Sequence, residues 1–169
     1  KAMNSLYASL GTTVFETMSR LAAEKGAVNL GHGFPEDDGP RDILEAAARA
    51  TIEGPNQYPS MRGLPDLRQA VAAHYNAHHT LDLDWSSEVT ITSGATEAIA
   101  AALLAFIEPG DEVVLFEPLY DAYLPMVKRA GGVPRIVRLQ PPHWRFERET
   151  VAAAFSDKTR VVVINTPLN

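Results

Sequence analysis

The sequence predicts an α/β fold in which a mostly parallel sheet is sandwiched by helices. In the second half of the chain, segments rich in Val and Ile alternate with segments of helical periodicity, which is typical of a parallel sheet. The apolar runs at residues 113–116 and 161–164 favour strands buried on both faces. We expect residues 1–85 to form an N-terminal arm with the helices of a smaller domain or interface region. Residues 86–169 are then the first part of a larger sheet domain.

The first part of the chain is predicted to contain amphipathic helices. Residues 12–25 place apolar side chains on one face, and Gly26 is a suitable end for that helix. Pro40 and Gly54 bracket a second helix, which is the usual placement of these residue types. A third apolar stripe runs along residues 64–75.

The second part of the chain is predicted to alternate strand and helix. We expect strands at residues 89–92, 112–116, 133–139 and 160–165, and helices at residues 95–107, 119–130 and 147–155. Pro125 leaves the path of the middle helix open, because proline interrupts helical hydrogen bonding. Ligands of such sheets bind beyond the carboxyl ends of the strands, so the residues that follow the strands should share one edge.

Composition excludes several classes of function. The formal net charge of the 169 residues is -6, so neither a nucleic acid nor a membrane surface is expected as a partner. The absence of cysteine excludes disulfides and thiolate catalysis, and it fits a reducing compartment such as the cytoplasm. No apolar run approaches the length of a membrane span. Because the sequence stops soon after a predicted buried strand, we expect it to be a piece of a longer protein.

Three segments that follow predicted strands carry groups suited to a phosphorylated ring. The turn at residues 94–96 leads into a helix, whose first amides and dipole favour a phosphate. Tyr120 follows the second strand and could stack on a planar ring. Asn165 and Asn169 follow the last strand, and an amide can bind a phenolic oxygen without supplying a charge.

Each of these segments also has an ordinary structural interpretation. Ser93 could cap the helix, with Glu97 complementing the helix dipole. Tyr120 could pack on its own sheet, and the asparagines could serve the turn around Pro167. For any one segment taken alone, the ordinary structural role is at least as common as a cofactor-binding role. Together, the segments describe a phosphate cradle, a stacking aromatic ring and an amide along one edge.

The same segments resemble the class I/II aminotransferases, which are pyridoxal 5'-phosphate-dependent enzymes of fold type I. The matching motifs follow one another in the family's order and spacing along nearly all of the chain. They are VNLGHGFP at 28–35, NQY at 56–58, RGLPDLR at 62–68, TSGATEA at 92–98, PGDEV at 109–113, EPLYDAY at 117–123 and NTPLN at 165–169. The GHGFP and EPLYDAY motifs resemble the branch that contains kynurenine, methionine and glutamine aminotransferases.

The resemblance implies a cofactor role for each segment along the predicted edge. The phosphate would be held by the turn, the pyridine ring by an aromatic side chain and the phenolic oxygen by an amide. The residues in these roles are Gly94, Ala95 and Thr96, then Tyr120, then Asn169 with Asn165 nearby.

The resemblance also implies substrate contacts and a homodimer. Gly33 would line the substrate pocket, and Asn169 would contact the amino acid as well as the cofactor. Tyr58 would reach the phosphate bound by the neighbouring subunit, since these enzymes share active sites between subunits.

The implied activity is transfer of an amino group between an amino acid and a 2-oxo acid. The lysine that forms the Schiff base with the cofactor would lie beyond Asn169, so we expect no catalytic residue within the chain and predict that the chain alone is inactive. The lysines that are present match no motif and are interpreted as solvated charges: Lys1, Lys25, Lys128 and Lys158.

Two alternatives to an aminotransferase stay open. A dinucleotide-binding domain shares the strand–glycine–helix opening, and Glu117 ends the next strand where a ribose-binding acid would fall. However, Thr96 and Ile99 stand where that fingerprint requires glycine. The chain could also be a truncated product without enzymatic function.

The histidines suggest no metal site. His74, His78 and His79 lie near the end of a predicted helix, but no carboxylate completes a convincing set of ligands. His32 lies in the glycine-rich loop and could touch substrate or cofactor.

Overall fold

The computed structural model describes residues 2–31, 33 and 37–167. These residues form two compact units. The helical unit is Val14–Thr92, and the sheet unit consists of the described residues before Val14 and after Thr92. No helix among the described residues has the length and apolar character needed to cross a membrane.

The helical unit contains the helices predicted from the first part of the chain. In chain order, the whole structure contains α1 (Ser5–Ala8), α2 (Val14–Lys25), α3 (Arg41–Glu53), α4 (Pro65–His79), α5 (Trp85–Glu88), α6 (Gly94–Phe106), β1 (Glu112–Glu117), α7 (Tyr123–Arg129), β2 (Val133–Arg138), α8 (Arg148–Ala153) and β3 (Thr159–Val163). α3 starts directly after Pro40 and ends at Gly54, as the placement of these residues predicts.

The prediction of a strand at residues 89–92 is wrong, because the described part of the chain does not pair this segment with any strand. The Ile91 N–H donates to the Arg62 carbonyl at 2.9 Å instead. The Arg68 guanidinium donates from Nε to the Val89 carbonyl at 2.8 Å. Backbone groups that could join a strand ladder are therefore used within the helical unit.

Arg68 also holds α5 against α4. Its Nη2 donates to the carbonyls of Trp85 and Ser86, each at 2.8 Å, and its guanidinium carbon lies 5.3 Å from the centre of the Trp85 ring. Only 5% of the Arg68 surface is exposed. A buried charge is costly unless its donors are satisfied, and here backbone carbonyls satisfy them.

The sheet unit contains a parallel sheet in the order β2-β1-β3. Val113 of β1 lies opposite Pro134 of β2 on one side and Val161 of β3 on the other. The helices α6, α7 and α8 alternate with these strands along the chain. The structure therefore confirms the predicted α/β class and the parallel sheet.

The core of the sheet unit lies around β1, whose residues Val113, Val114 and Leu115 are buried. The residues of this core cluster come from α6, the position directly after α6, β1 and α7: Leu103, Ile107, Val113, Leu115, Tyr123 and Val127. The prediction that residues 161–164 are buried on both faces is wrong. Val161 and Val163 pack on the core cluster, whereas Val162 points to the other face and is exposed.

The helix predicted at residues 119–130 is shorter than expected and begins at Tyr123. Pro125 consequently lies in the first turn of α7, where backbone N–H groups have no acceptor within the helix and proline costs no hydrogen bond. Residues 119–122 form a loop between β1 and α7. This loop contains Tyr120.

Glu112 ties together three segments at the amino end of the sheet. Its Oε1 lies 2.8 Å from Nη2 of Arg135 on β2, and its Oε2 accepts from Oγ of Ser156 at 2.7 Å. Its backbone N–H donates to the Lys158 carbonyl at 2.8 Å. The hydrogen bond from Arg135 lowers the pKa of the Glu112 carboxyl most, and the one from Ser156 lowers it further. The contact with Glu112 also raises the pKa of Arg135.

We predict that Glu112→Gln lowers the free energy of unfolding at neutral pH. The substitution should also make the free energy of unfolding less dependent on pH in the acid range. A carboxyl whose pKa is depressed by folding stabilises the protein above its ordinary pKa. That stabilisation is lost as the pH falls below about 4.3. Urea unfolding between pH 7 and pH 3 measures both effects. The exposed carboxyl of Glu149 on α8 provides the control, Glu149→Gln. Equal pH profiles for the wild type and Glu112→Gln would show that the buried contacts contribute nothing.

Candidate functional site

The loops that follow β1 and β3 lie at the same edge of the sheet, because the two strands run parallel. A direct contact joins these loops. Nδ2 of Asn165, which follows β3, donates to the hydroxyl oxygen of Tyr123 at 2.6 Å. The sequence prediction that the residues after these strands share one edge is therefore confirmed for Asn165 and the β1–α7 segment.

Tyr120 lies in the loop after β1 and is held by Tyr123. The two ring centres are 5.6 Å apart and the ring planes meet at 73°, which is an edge-to-face contact. The Tyr123 N–H also donates to the Tyr120 carbonyl at 3.1 Å. Tyr120 is half-buried against the core cluster, so part of its ring stays accessible.

Tyr123 is a site residue that the sequence analysis missed. It appears in the EPLYDAY motif, but the motif alone gave it no role. In the structure it is 6% exposed, forms part of the core cluster and touches both Tyr120 and Asn165. The sequence feature that could have pointed to Tyr123 is its position three residues after Tyr120. This spacing places both rings near the first turn of the predicted helix.

The space enclosed by this edge is too small for a ring-shaped ligand. A cavity of about 70 Å³ lies between the β1–α7 segment and the end of β3. Its lining includes Leu115, Pro118, Tyr123, Val163, Asn165 and Pro167. Small-molecule sites usually have volumes of several hundred Å³. A ring-shaped ligand at this edge must therefore lie outside the cavity.

The turn at residues 94–96 starts α6 and faces solvent. α6 has 13 residues, and the amides of Ala95 and Thr96 lie in its first turn, where N–H groups lack an acceptor within the helix. The φ of Gly94 is +82°, and a Cβ built on Gly94 meets nothing within 4 Å. The Thr96 side chain is exposed. An anion can therefore approach the backbone of this turn closely, in the field of the helix dipole.

Ser93 stands at the N-cap position of α6, but in the described structure its side chain forms no capping hydrogen bond. The Glu97 carboxylate instead accepts a hydrogen bond from the Ser93 N–H. The expectation of an ordinary cap by the Ser93 side chain is therefore wrong, whereas the placement of Glu97 in the first turn is as expected.

α6 and Tyr120 pack on the same core. Ile99, one turn after Ala95 on α6, packs on the core cluster, and Tyr120 packs on it as well. α6 also contacts both α7 and β3. The predicted phosphate turn and the predicted stacking ring therefore belong to one packed unit, although residues 89–92 do not supply the strand that was expected to place the turn.

Glu117 at the end of β1 is already engaged by an arginine. Its Oε2 accepts from Nη2 of Arg138 at 2.9 Å and from Nε of Arg138 at 3.0 Å. The Leu139 N–H donates to the Glu117 carbonyl at 2.8 Å. This carboxylate is therefore used to join β1 and β2, which disfavours the role of a ribose-binding acid.

The remaining predicted site residues are not brought into this arrangement by any described contact. Tyr58 lies in the loop between α3 and α4 of the helical unit and is fully exposed, and Gly33 is also exposed. Asn169 and His32 lie outside the described residues. The described lysines are exposed, as expected: Lys25, Lys128 and Lys158.

The residues at the edge fit pyridoxal 5'-phosphate. The α6 turn offers amide and hydroxyl donors together with a dipole suited to a phosphate, and a Cβ built on Gly94 meets nothing within 4 Å. Tyr120 offers a half-buried aromatic ring in the loop after β1, and Asn165 contributes a polar amide to the same edge.

Comparison with known proteins identifies the family. The family profile "Aminotransferase class I and II" matches residues 25–169, so the chain belongs to the class I and II aminotransferases. Members of this family use pyridoxal phosphate and act on amino acids and oxo acids. The match confirms the family resemblance seen in the motifs and favours it over a dinucleotide-binding domain.

Similar proteins carry aminotransferase names. The chain is 44% identical to methionine aminotransferase of Escherichia coli (strain K12) over 160 residues, which cover 95% of this chain and 42% of that protein. It is 35% identical to kynurenine–oxoglutarate transaminase of Dictyostelium discoideum, with coverage of 95% of this chain and 41% of that protein. The chain thus spans less than half the length of these relatives.

Solved structures agree with the sequence comparisons. A methionine aminotransferase structure from Escherichia coli matches with a TM-score of 0.94 and 43% identity, covering 100% of this chain and 44% of that one. The N-succinyldiaminopimelate aminotransferase structure from Mycobacterium tuberculosis matches with a TM-score of 0.92 and 46% identity, covering 99% and 44%. The fold is therefore that of the corresponding part of these aminotransferases.

We predict that Gly94→Ala destabilises the start of α6 by about 1–2 kcal/mol, because a Cβ is strained at positive φ. Open space around Gly94 means that strain, and not a clash, is the cause. Chemical unfolding measures the change. Gly11→Ala is the matched control, since its Cβ also meets nothing within 4 Å and its φ is not in the left-handed range. Equal effects of the two substitutions would contradict the strained turn.

Proposed function

We propose that this chain is the N-terminal part of a pyridoxal-phosphate-dependent aminotransferase that moves an amino group between an amino acid and a 2-oxo acid. The observation that carries the proposal is the joint packing of α6 and Tyr120 on one core, with Asn165 tied to the same edge as Tyr123. The family match over residues 25–169 supports it independently.

In this proposal the α6 turn fixes the cofactor by its phosphate. Gly94, Ala95 and Thr96 would hold the phosphate through backbone amides and the Thr96 hydroxyl, and the dipole of α6 would favour its negative charge. Glu97 is turned back onto the Ser93 N–H. Its carboxylate is thereby held by the backbone at the base of the turn.

The side chains at the strand ends orient the ring. Tyr120 would stack on the pyridine ring, and Asn169, with Asn165 nearby, would hold the phenolic oxygen. When bound, pyridoxal phosphate supplies an electron sink for negative charge at the substrate α-carbon. The contribution of this part of the protein is to hold that group in a fixed orientation, which lowers the entropic cost of the reaction.

The proposal includes a homodimer in which active sites are shared. Tyr58 is fully exposed in the loop between α3 and α4, so its hydroxyl is available to a phosphate bound by a second subunit. Gly33 and Asn169 contact the amino acid substrate. We place the enzyme in the cytoplasm, consistent with the absence of cysteine from the sequence.

The direct test is a half-reaction of the full-length protein loaded with pyridoxal 5'-phosphate. We expect mixing with methionine or kynurenine alone to convert the cofactor to its amine form, because the reaction follows a ping-pong course. The absorption spectrum reports this conversion, and a 2-oxo acid added afterwards should reverse it. The 169-residue chain alone is the control and should show no conversion. An unchanged spectrum of the loaded full-length protein with every amino acid tried would contradict the proposal.

A further inference from the structure

We infer that the hydrogen bond between Asn165 and Tyr123 fixes the Tyr120 ring as the platform for the cofactor ring, which makes Asn165 and Tyr123 positioning residues. The inference rests on the proposed function and gives Asn165 a role through Tyr123.

Tyr120 depends on Tyr123 for its orientation. Tyr120 lies in a loop without regular secondary structure and packs on the core cluster, and two specific contacts join it to one member of that cluster, Tyr123. These contacts are the edge-to-face packing of the rings and the hydrogen bond from the Tyr123 N–H to the Tyr120 carbonyl. An edge-to-face pair has a preferred geometry, so a rotation of the Tyr123 ring is transmitted to Tyr120.

Tyr123 depends in turn on Asn165. Its ring is packed in the core cluster among aliphatic side chains, where a hydroxyl without a partner would be costly. Nδ2 of Asn165 meets this hydroxyl at 2.6 Å and fixes the position of the ring along the core. Asn165 itself is anchored by β3, so the contact sets Tyr123 relative to the end of a neighbouring strand.

The chain of contacts predicts a specific functional effect. Loss of the Asn165–Tyr123 hydrogen bond leaves the α6 turn intact but lets the aromatic rings move. The ring of the cofactor should therefore be held less well, whereas its phosphate should be held as before. If the hydrogen bond served stability alone, its loss would not weaken binding of the cofactor ring while leaving binding of the phosphate unchanged.

The test compares Tyr123→Phe and Asn165→Ala with the wild-type full-length protein. Tyr123→Phe removes only the hydroxyl and keeps the ring in the core. This variant alone is sufficient for the test if Asn165→Ala does not fold. We expect each variant to bind pyridoxal 5'-phosphate about three- to tenfold more weakly, the effect of one hydrogen bond. Binding of inorganic phosphate, measured by competition, should be unchanged. The visible circular dichroism of the bound cofactor should shift, since it reports ring orientation.

The double variant and a control sharpen the test. Because both single substitutions break the same contact, the double variant should bind the cofactor about as weakly as either single one. Tyr75→Phe on α4, in the helical unit, is the matched control and should bind like the wild type.

Two results would overturn the inference. Wild-type cofactor affinity and wild-type circular dichroism in both variants would show that the contact serves stability alone. Failure of the wild-type protein to bind pyridoxal 5'-phosphate would overturn the proposed function and this inference together.

Discussion

Parallel pairing on both sides of β1 is the constraint on which the site depends. Because β1 and β3 run in the same direction, the segments that follow them meet at one edge of the sheet. Burial of Val113, Val114 and Leu115 fixes β1 in the middle of the sheet unit. Asn165 and Tyr123 are 42 residues apart in the chain and come into hydrogen-bond contact at this edge.

The amino end of the sheet carries buried structural contacts, whereas the carboxyl end carries exposed polar groups. At the amino end, Glu112 is buried and uses both of its carboxylate oxygens to join neighbouring segments. At the carboxyl end, polar groups are placed on loops and on the exposed first turn of α6. Packing at one end thus supports accessible polar groups at the other, which is where open α/β sheets commonly bind ligands.

The sequence predicted the features that depend on local pattern. Periodic apolar residues located α2, α3 and α4, the alternation of strand and helix located α6, and the apolar run at residues 112–116 located β1. The same reasoning failed at residues 89–92, because the long Arg68 side chain from α4 takes the Val89 carbonyl. A contact between residues 21 positions apart leaves no signal in local periodicity.

The individual candidate residues of the site could be predicted from the sequence, but the contacts between them could not. Gly94, Tyr120 and Asn165 could be selected as cofactor residues because their chemistry suits a phosphorylated ring and their motifs resemble a known family. Tyr123 could not, since its importance comes from burial and from a partner, Asn165, in the loop after β3. The exposure of Val162 was also missed, because an apolar run does not reveal whether both faces of a strand are covered.

The most direct test of the account compares the affinity of the full-length protein for pyridoxal 5'-phosphate with its affinity for pyridoxal, in the wild type and in Thr96→Val. If the α6 turn holds the phosphate, the wild type should strongly prefer the phosphorylated form. Thr96→Val should reduce that preference by roughly tenfold, the effect of losing one hydrogen bond to a charged group. Equal affinities for the two compounds in the wild type, or an unchanged preference in the variant, would contradict a phosphate site at the start of α6.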